Sequence, residues 1–462
     1  MRLLDKYQTN VVNSTTDELV IAGPGSGKTT TIITKVNRLI ENINPKDILL
    51  LSFTNKSVED IKRRLDADIT VMTFHKLAID ILKYNNITYK ICENNRLDYI
   101  IDEYFLTLNI KDKKKLCRYL NVIKLNKTSQ EYQSIKKLIK TFINLFKTNN
   151  HDFNKLHQML KNHKDKFLIE IIFNIFHRYE EEKNSTLTLD FDDLITKATD
   201  VLKTHYNYHH FKYIIVDEFQ DTSLIRLNLL KIIYDNSHAT ITAVGDDAQS
   251  IFHFSGCDLN IFLNFSKYFP KAKIIFLKNT YRNSQELIDI SSNFINKNKL
   301  QIKKQMHSDL SVKNPIEIIY YITPIKAFKK LLDHLLLETD EIMILSRNKN
   351  DIKEYIDKDF QINESTLIYK NHPLKYLTIH SAKGLESKYV ILLNMSNKTY
   401  GMPNKLENHP ILNYASNETD NYPYAEERRV FFVAITRCKI KTFILVPKAT
   451  PSVFIKELKK LL

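Results

Sequence analysis

The chain is 462 residues long, room for about three domains of ordinary size and for a core that needs no disulfide or metal staple. Lys and Arg number 68 against 53 Asp and Glu, a net charge of +15, which argues against an acidic protein substrate and fits an anionic polymer as partner. The four cysteines form no CxxC pair, the N-terminus carries no apolar signal core, and no apolar run nears the ~18 residues of a membrane span. A disulfide framework, a zinc ribbon and a membrane anchor are thereby set aside, and the expectation is a soluble cytoplasmic protein.

Only seven glycines occur, and three of them, Gly23, Gly25 and Gly27, lie in AGPGSGKT, residues 22–29. A chain so sparing with glycine keeps it where a side chain is not tolerated. The apolar run 19–21 before this segment and the helical stretch 29–40 after it give strand, Gly-rich turn, helix, which is the setting of a P-loop, with Ala22 in place of its first glycine. Ala22, Gly23, Pro24, Gly25, Ser26, Gly27 and Thr30 would make up the phosphate site, with the backbone N–H groups of the loop (Pro24 has none) and of the helix N-terminus facing phosphate oxygens. Lys28 would bring a charge to the β- and γ-phosphates, and Thr29 a hydroxyl to Mg²⁺. Residues 84–180 read as helical, and no proline occurs between Pro45 and Pro270. Within that stretch, residues 111–148 hold eleven basic residues, Lys124 among them, against two acids, a net of +9. That run reads either as a solvated lysine face or as a nucleic-acid patch. DFDDL, 190–194, reads as a helix N-cap at Asp190. The buried strand Tyr213 to Val216 ends in Asp217, which would hold Mg²⁺ through water, and Glu218, which would take a proton from the attacking water.

The segment 217–222, DEFQDT, resembles the motif II signature of UvrD/Rep-type superfamily 1 (SF1A) DNA helicases. Other family motifs follow in order: LLDKYQTNVV (3–12), LSFTNKSVEDI (51–61), TFHKLAIDIL (73–82), VGDDAQSIFHFSG (244–256), NTYRNSQELI (279–288), TIHSAKGLE (378–386) and EERRVFFVAITRCK (426–439). The resemblance implies an α/β fold of two RecA-like P-loop NTPase domains, mostly parallel sheets flanked by helices, with a helical 1B-like insertion. It divides the chain into domain 1A (1–83 and 181–275), insertion 1B (84–180) and domain 2A (276–462). Only residues 348–377 lie where relatives carry a large 2B domain, too few to hold one, so 2B is expected to be absent or vestigial.

The resemblance also implies roles. Gln8 would read the adenine edge, Tyr281 would stack on the base and Glu386 would bind the ribose. Arg282 and Arg437 would reach the γ-phosphate, where a planar guanidinium fork suits phosphate oxygens. Gln249 would link the γ-phosphate to the DNA site. Phe252 and Phe254, read as alternate positions of an extended segment, would stack on bases, with Phe53 a further aromatic candidate. Thr54, Asn55, Thr73, His75 and His380 are phosphate or sugar contacts, the two histidines reading equally well as supporting groups. Two departures stand out: Ser255 occupies a position where the family has Arg, and Arg226 one where it often has Gln. The resulting expectation is an ATP- and Mg²⁺-dependent helicase moving 3′ to 5′ on single-stranded DNA and acting at single/double-strand junctions. The alternatives are a DNA-stimulated translocase that separates no strands, or a nucleic-acid-binding accessory protein with a vestigial ATPase.

Overall fold

The computed structural model describes residues 3–65, 67–122, 125–160, 163–405, 409–417 and 420–462; Lys124 of the basic run lies outside them. The runs of Leu, Ile and Val in β1 (Glu18–Ala22) and β2 (Ile48–Ser52) are buried at every position, as strands covered on both faces require. They join β3 (Thr70–Thr73), β6 (Tyr213–Val216), β7 (Thr240–Gly245) and β8 (Lys273–Leu277) in a six-stranded, all-parallel sheet ordered β3-β2-β6-β7-β1-β8. Two further short strands, β4 (Lys90–Ile91) and β5 (Thr188–Leu189), pair in parallel with each other as a separate two-stranded sheet.

A second sheet contains β9 (Ile316–Tyr321), β10 (Ile342–Ser346), β11 (Phe360–Asn363), β12 (Thr366–Tyr369), β13 (His372–Thr378), β14 (Ser387–Leu392) and β15 (Cys438–Pro447), in the order β11-β12-β13-β10-β14-β15-β9. Its β13-β10-β14-β15-β9 portion is parallel, while β11 and β12 form an antiparallel hairpin at one edge. Residues 348–377 are therefore a single turn, this hairpin and most of β13. Two layered α/β units with mostly parallel sheets agree with the expected RecA-like class.

Among the described residues, five helices lie between β4 and β5, Arg96–Thr107, Ile110–Tyr119, Gln130–Thr148, Phe153–Met159 and Lys166–Thr186, around a core of their own that includes Ile135, Ile139, Phe142 and Ile172. The last helix crosses residue 180 and stops at Leu187, whose left-handed backbone (φ 54) turns the chain into β5. This helical unit is held at its base by Lys147 and Lys183, which pair with Asp190 and Asp193. It also takes in part of the second α/β unit. Ile411, Leu412 and Ala415, from the segment after β14, are buried in the helical core, and Asn149 Nδ2 donates to Ala415 O at 3.0 Å.

Candidate nucleotide and nucleic-acid sites

In parallel α/β sheets, ligands sit beyond the C-terminal strand ends. The turn after β1 forms one wall of a cleft of about 630 Å³ at that edge. Gly25 and Gly27 have positive φ (69 and 79), and Gly27 caps the helix Lys28–Leu39, so the first amides of that helix open onto the cleft. A Cβ on Gly25 would lie 2.5 Å from Arg282 Cβ, and one on Gly27 2.6 Å from Gln8 Nε2. Glycine at 25 is thus a condition of the two units approaching each other, and glycine at 27 leaves room for Gln8 of the first helix.

Lys28 Nζ lies 3.3 Å from Glu218 Oε1. Burial alone would raise the Glu218 carboxyl, but Lys28 and Lys383 outweigh it and hold this group ionised, well below the carboxylate range. Asp217 moves the other way, raised to about 7 by burial and then by the charge of Glu218. Glu218 also has a left-handed backbone (φ 52), a conformation that costs a non-glycine residue energy and that aims the carboxylate at Lys28. From the second unit, Arg437 Nη2 donates to Gln249 Oε1 at 3.1 Å, and burial, with Arg282 nearby, lowers Arg437 to about 9. Arg282 Nε donates to Glu386 Oε2 at 2.6 Å. Tyr281 closes one end, its hydroxyl donating to Asp5 Oδ2 at 2.8 Å; Asp5 also caps the first helix, whose third residue, Gln8, donates its amide to Ser26 O.

The cleft thus gathers Gln8, Gly25 to Thr30, Glu218, Gln249, Tyr281, Arg282, Glu386 and Arg437. Three expected P-loop residues do not line it. Ala22 is the buried last residue of β1, Gly23 faces Met306, and the Pro24 carbonyl accepts from Thr280 Oγ1 at 2.7 Å. The start of the loop is spent on anchoring, so only its second half is presented. Asp217 sits behind Glu218, where it would reach a cation through water. Thr29 and Asp217 suit Mg²⁺: a buried carboxyl raised this far is one that a nearby cation would stabilise in its ionised form.

The aromatic candidates converge on a second place. Phe53 stacks on Phe252 (centroids 5.4 Å apart), Phe252 meets Phe254 edge-on at 5.9 Å, and Phe254 meets His380 at 5.5 Å. The expected extended segment is not formed. His253–Ser255 is a 3-10 turn closed by Ser255 Oγ donating to Phe252 O, so Phe252 and Phe254 are brought together by the turn and not by strand alternation. The Arg226 guanidinium lies 4.7 Å from the Phe53 ring centre. Thr54 and Thr73 cap helices through Ser57 N and Lys76 N, and Asn55 is exposed beside Thr54. His75 lies edge-on to the exposed ring of Phe191 at 5.3 Å, and burial followed by Arg226 lowers it to about 4. Burial, with Arg347, Lys137 and Lys383, likewise keeps His380 neutral.

Above this shelf runs the helix Gln130–Thr148. Asn144 Nδ2 donates to Phe254 O at 3.0 Å, and Lys137 Nζ lies 5.6 Å from the Phe254 ring. Gly256 (φ 83) admits the helix, since a Cβ there would meet Thr148 Oγ1 at 2.3 Å.

Residues 4–270 match the model of the UvrD/REP helicase N-terminal domain, and residues 361–448 that of the UvrD-like helicase C-terminal domain. The chain belongs to the UvrD/Rep helicase family. Among its relatives, DNA helicase IV of Escherichia coli K12 is 26% identical over 98% of this chain. An ATP-dependent DNA helicase Rep of Buchnera aphidicola (subsp. Schizaphis graminum) is 30% identical over 77%, and a PcrA of Leuconostoc citreum 27% over 66%. The chain spans 69%, 53% and 41% of those three proteins' lengths.

Several residues of this UvrD/Rep member bear on the sites without standing out in the sequence reading. Lys383, inside TIHSAKGLE, pairs with Asp221 and lies 3.6 Å from Glu218, bridging the second unit to motif II. Phe191 was legible in principle, as an apolar residue between acids at a helix start. The basic run is less cationic than its count. Lys127 and Lys136 pair with Asp102, Lys140 with Asp98, and Lys147 with Asp190 and Asp193, all acids outside 111–148. Asp190 is the expected N-cap, with a capping box to Asp193, and anchors Lys147 and Lys183 as well. No helix among the described residues is long and apolar enough to cross a membrane.

Proposed function

We propose that this chain is an ATP-dependent DNA helicase that moves 3′ to 5′ along single-stranded DNA and acts at single/double-strand junctions. The observation that carries the reading is one cleft in which Lys28 and Glu218 of the first unit face Arg282 and Arg437 of the second, with Gln249 between them. On this reading the motor domains are 1–83 with 181–275, and 276–462; residues 84–180 are the 1B insertion, and the β11–β12 hairpin stands where relatives carry 2B.

Gly25 to Thr30 bind the triphosphate through backbone amides, and Lys28 neutralises its terminal charge. Glu218, freed from Lys28 as phosphate takes over that lysine, accepts a proton from the attacking water at its carboxylate. Arg437 and Arg282 stabilise charge spreading onto the γ-phosphate oxygens, so the cleft closes on ATP and relaxes on release. Thr29 and Asp217 would hold Mg²⁺, which supplies further charge neutralisation on the phosphates. Gln249 stands three residues before Phe252, so closure is passed to the aromatic shelf over a short path, and the rings of Phe252 and Phe254 hand bases along.

A strand-displacement assay on 3′-tailed, 5′-tailed and blunt duplexes, with and without ATP, tests this. Displacement of the 3′-tailed duplex alone is expected, and preference for the 5′ tail overturns the polarity. The β11–β12 hairpin in place of a domain favours a second reading, translocation without strand separation. ATP turnover driven by single strands with no displacement on any substrate would select it.

A further inference from the structure

Residues 301–307, between the helix Gln285–Ile295 and β9, run back across the first unit. Ile302 packs on the core of the six-stranded sheet, and its N–H donates to Asp247 Oδ2 at 2.8 Å. His307 N donates to Lys278 O at 2.7 Å, and Thr280 N to His307 O at 2.9 Å. In the middle of this strap, Lys304 Nζ reaches Asp246 Oδ1 at 2.5 Å and also pairs with Asp247. Both aspartate side chains are fully buried. Two adjacent buried carboxylates are costly without a cation between them, and Lys304 supplies it.

The other oxygen of Asp246 is committed too. Oδ2 accepts from Gln249 Nε2 at 2.6 Å, which turns the opposite end of that amide, Oε1, toward Arg437 Nη2. A continuous line runs Lys304–Asp246–Gln249–Arg437, from a strap outside the recognised motifs to the guanidinium facing the phosphate site. We propose that Lys304 is a positioning residue for ATP hydrolysis: by fixing Asp246 it sets the orientation of Gln249, and so the response of the cleft to the γ-phosphate. This rests on the ATPase reading above.

The test compares Lys304→Met, Lys304→Arg and Gln249→Ala in steady-state ATPase assays with saturating single-stranded DNA. Lys304→Met is expected to lower kcat about 10- to 100-fold, the cost of a misplaced reacting geometry, with KM for ATP little changed. Lys304→Arg recovers most of the loss. In a Gln249→Ala background, Lys304→Met has no further effect. An equal loss in that background overturns the proposal, as does a kcat for Lys304→Met close to the wild-type value. Should Lys304→Met unfold, Lys304→Met with Asp247→Asn removes the surplus buried charge. Loss of kcat in this folded pair supports positioning, and full activity in it shows charge balance alone and overturns the proposal. Wild type that hydrolyses no ATP would instead sink the ATPase reading, a result distinct from an active wild type matched by Lys304→Met.

Discussion

The cleft and the aromatic shelf meet within one short stretch, Gln249 to Phe254, yet they are made of different materials. In and around the cleft, buried charges are mostly held by opposite ones: Lys28 by Glu218, Lys383 by Asp221, Lys304 by Asp246 and Asp247, while Arg437 rests on the Gln249 amide. The shelf is a set of rings and neutral histidines under a helix. In the cleft, a lost partner leaves a charge buried and exposed to its full desolvation cost. On the shelf, a lost ring removes contact area and little else. Chemistry and grip should therefore fail separately, and by different amounts.

The largest separation is expected from Lys28→Ala. Turnover should be abolished while nucleotide-free binding to single-stranded DNA, read by anisotropy, stays near wild type; unchanged turnover would remove the P-loop assignment. Phe254→Ala should do the reverse on a smaller scale. Single-strand binding should weaken by about 1–3 kcal/mol, the worth of one stacked base, and strand displacement should fall more than DNA-free ATPase. Equal loss of both activities would mean that shelf and cleft are one unit. The smallest effect concerns Asp217. Its carboxyl rises from 3.8 to about 7 on folding, because of burial and then Glu218. A raised value means the folded state prefers the protonated acid, so this contribution is complete below pH 3.8 and drains away as pH climbs to about 7. Glu218 is shifted downward and acts at lower pH. Thermal melts of Asp217→Asn without divalent cation should show a flatter pH dependence between those limits, and an unaltered slope would contradict the assignment.

The same contrast explains what the sequence disclosed. The glycine turn after β1, the acids after β6 and Arg437 are legible because each is placed by its immediate neighbours: a strand before and a helix after the turn, the end of β6 before the acids, and a helix before with β15 after Arg437. The placement of Phe252 and Phe254 was legible only as residue type, since a 3-10 turn and an extended segment can carry the same letters. The charge of the basic run misled for a different reason: Asp98, Asp102, Asp190 and Asp193 neutralise part of it from outside the window. Lys304 was invisible because its meaning lies in two aspartates more than fifty residues earlier.

The seating of Ile411, Leu412 and Ala415 in the helical unit makes a closed circuit of three bodies: the first sheet carries the helices, the helices grip a segment of the second unit, and that unit returns to the first through the strap. Motion at any one joint must be matched at another. On the proposed ATPase reading, closure of the cleft in such a loop cannot become idle swinging of one lobe; it is delivered across the helical unit, directly over the rings, or the three apolar residues must leave their socket.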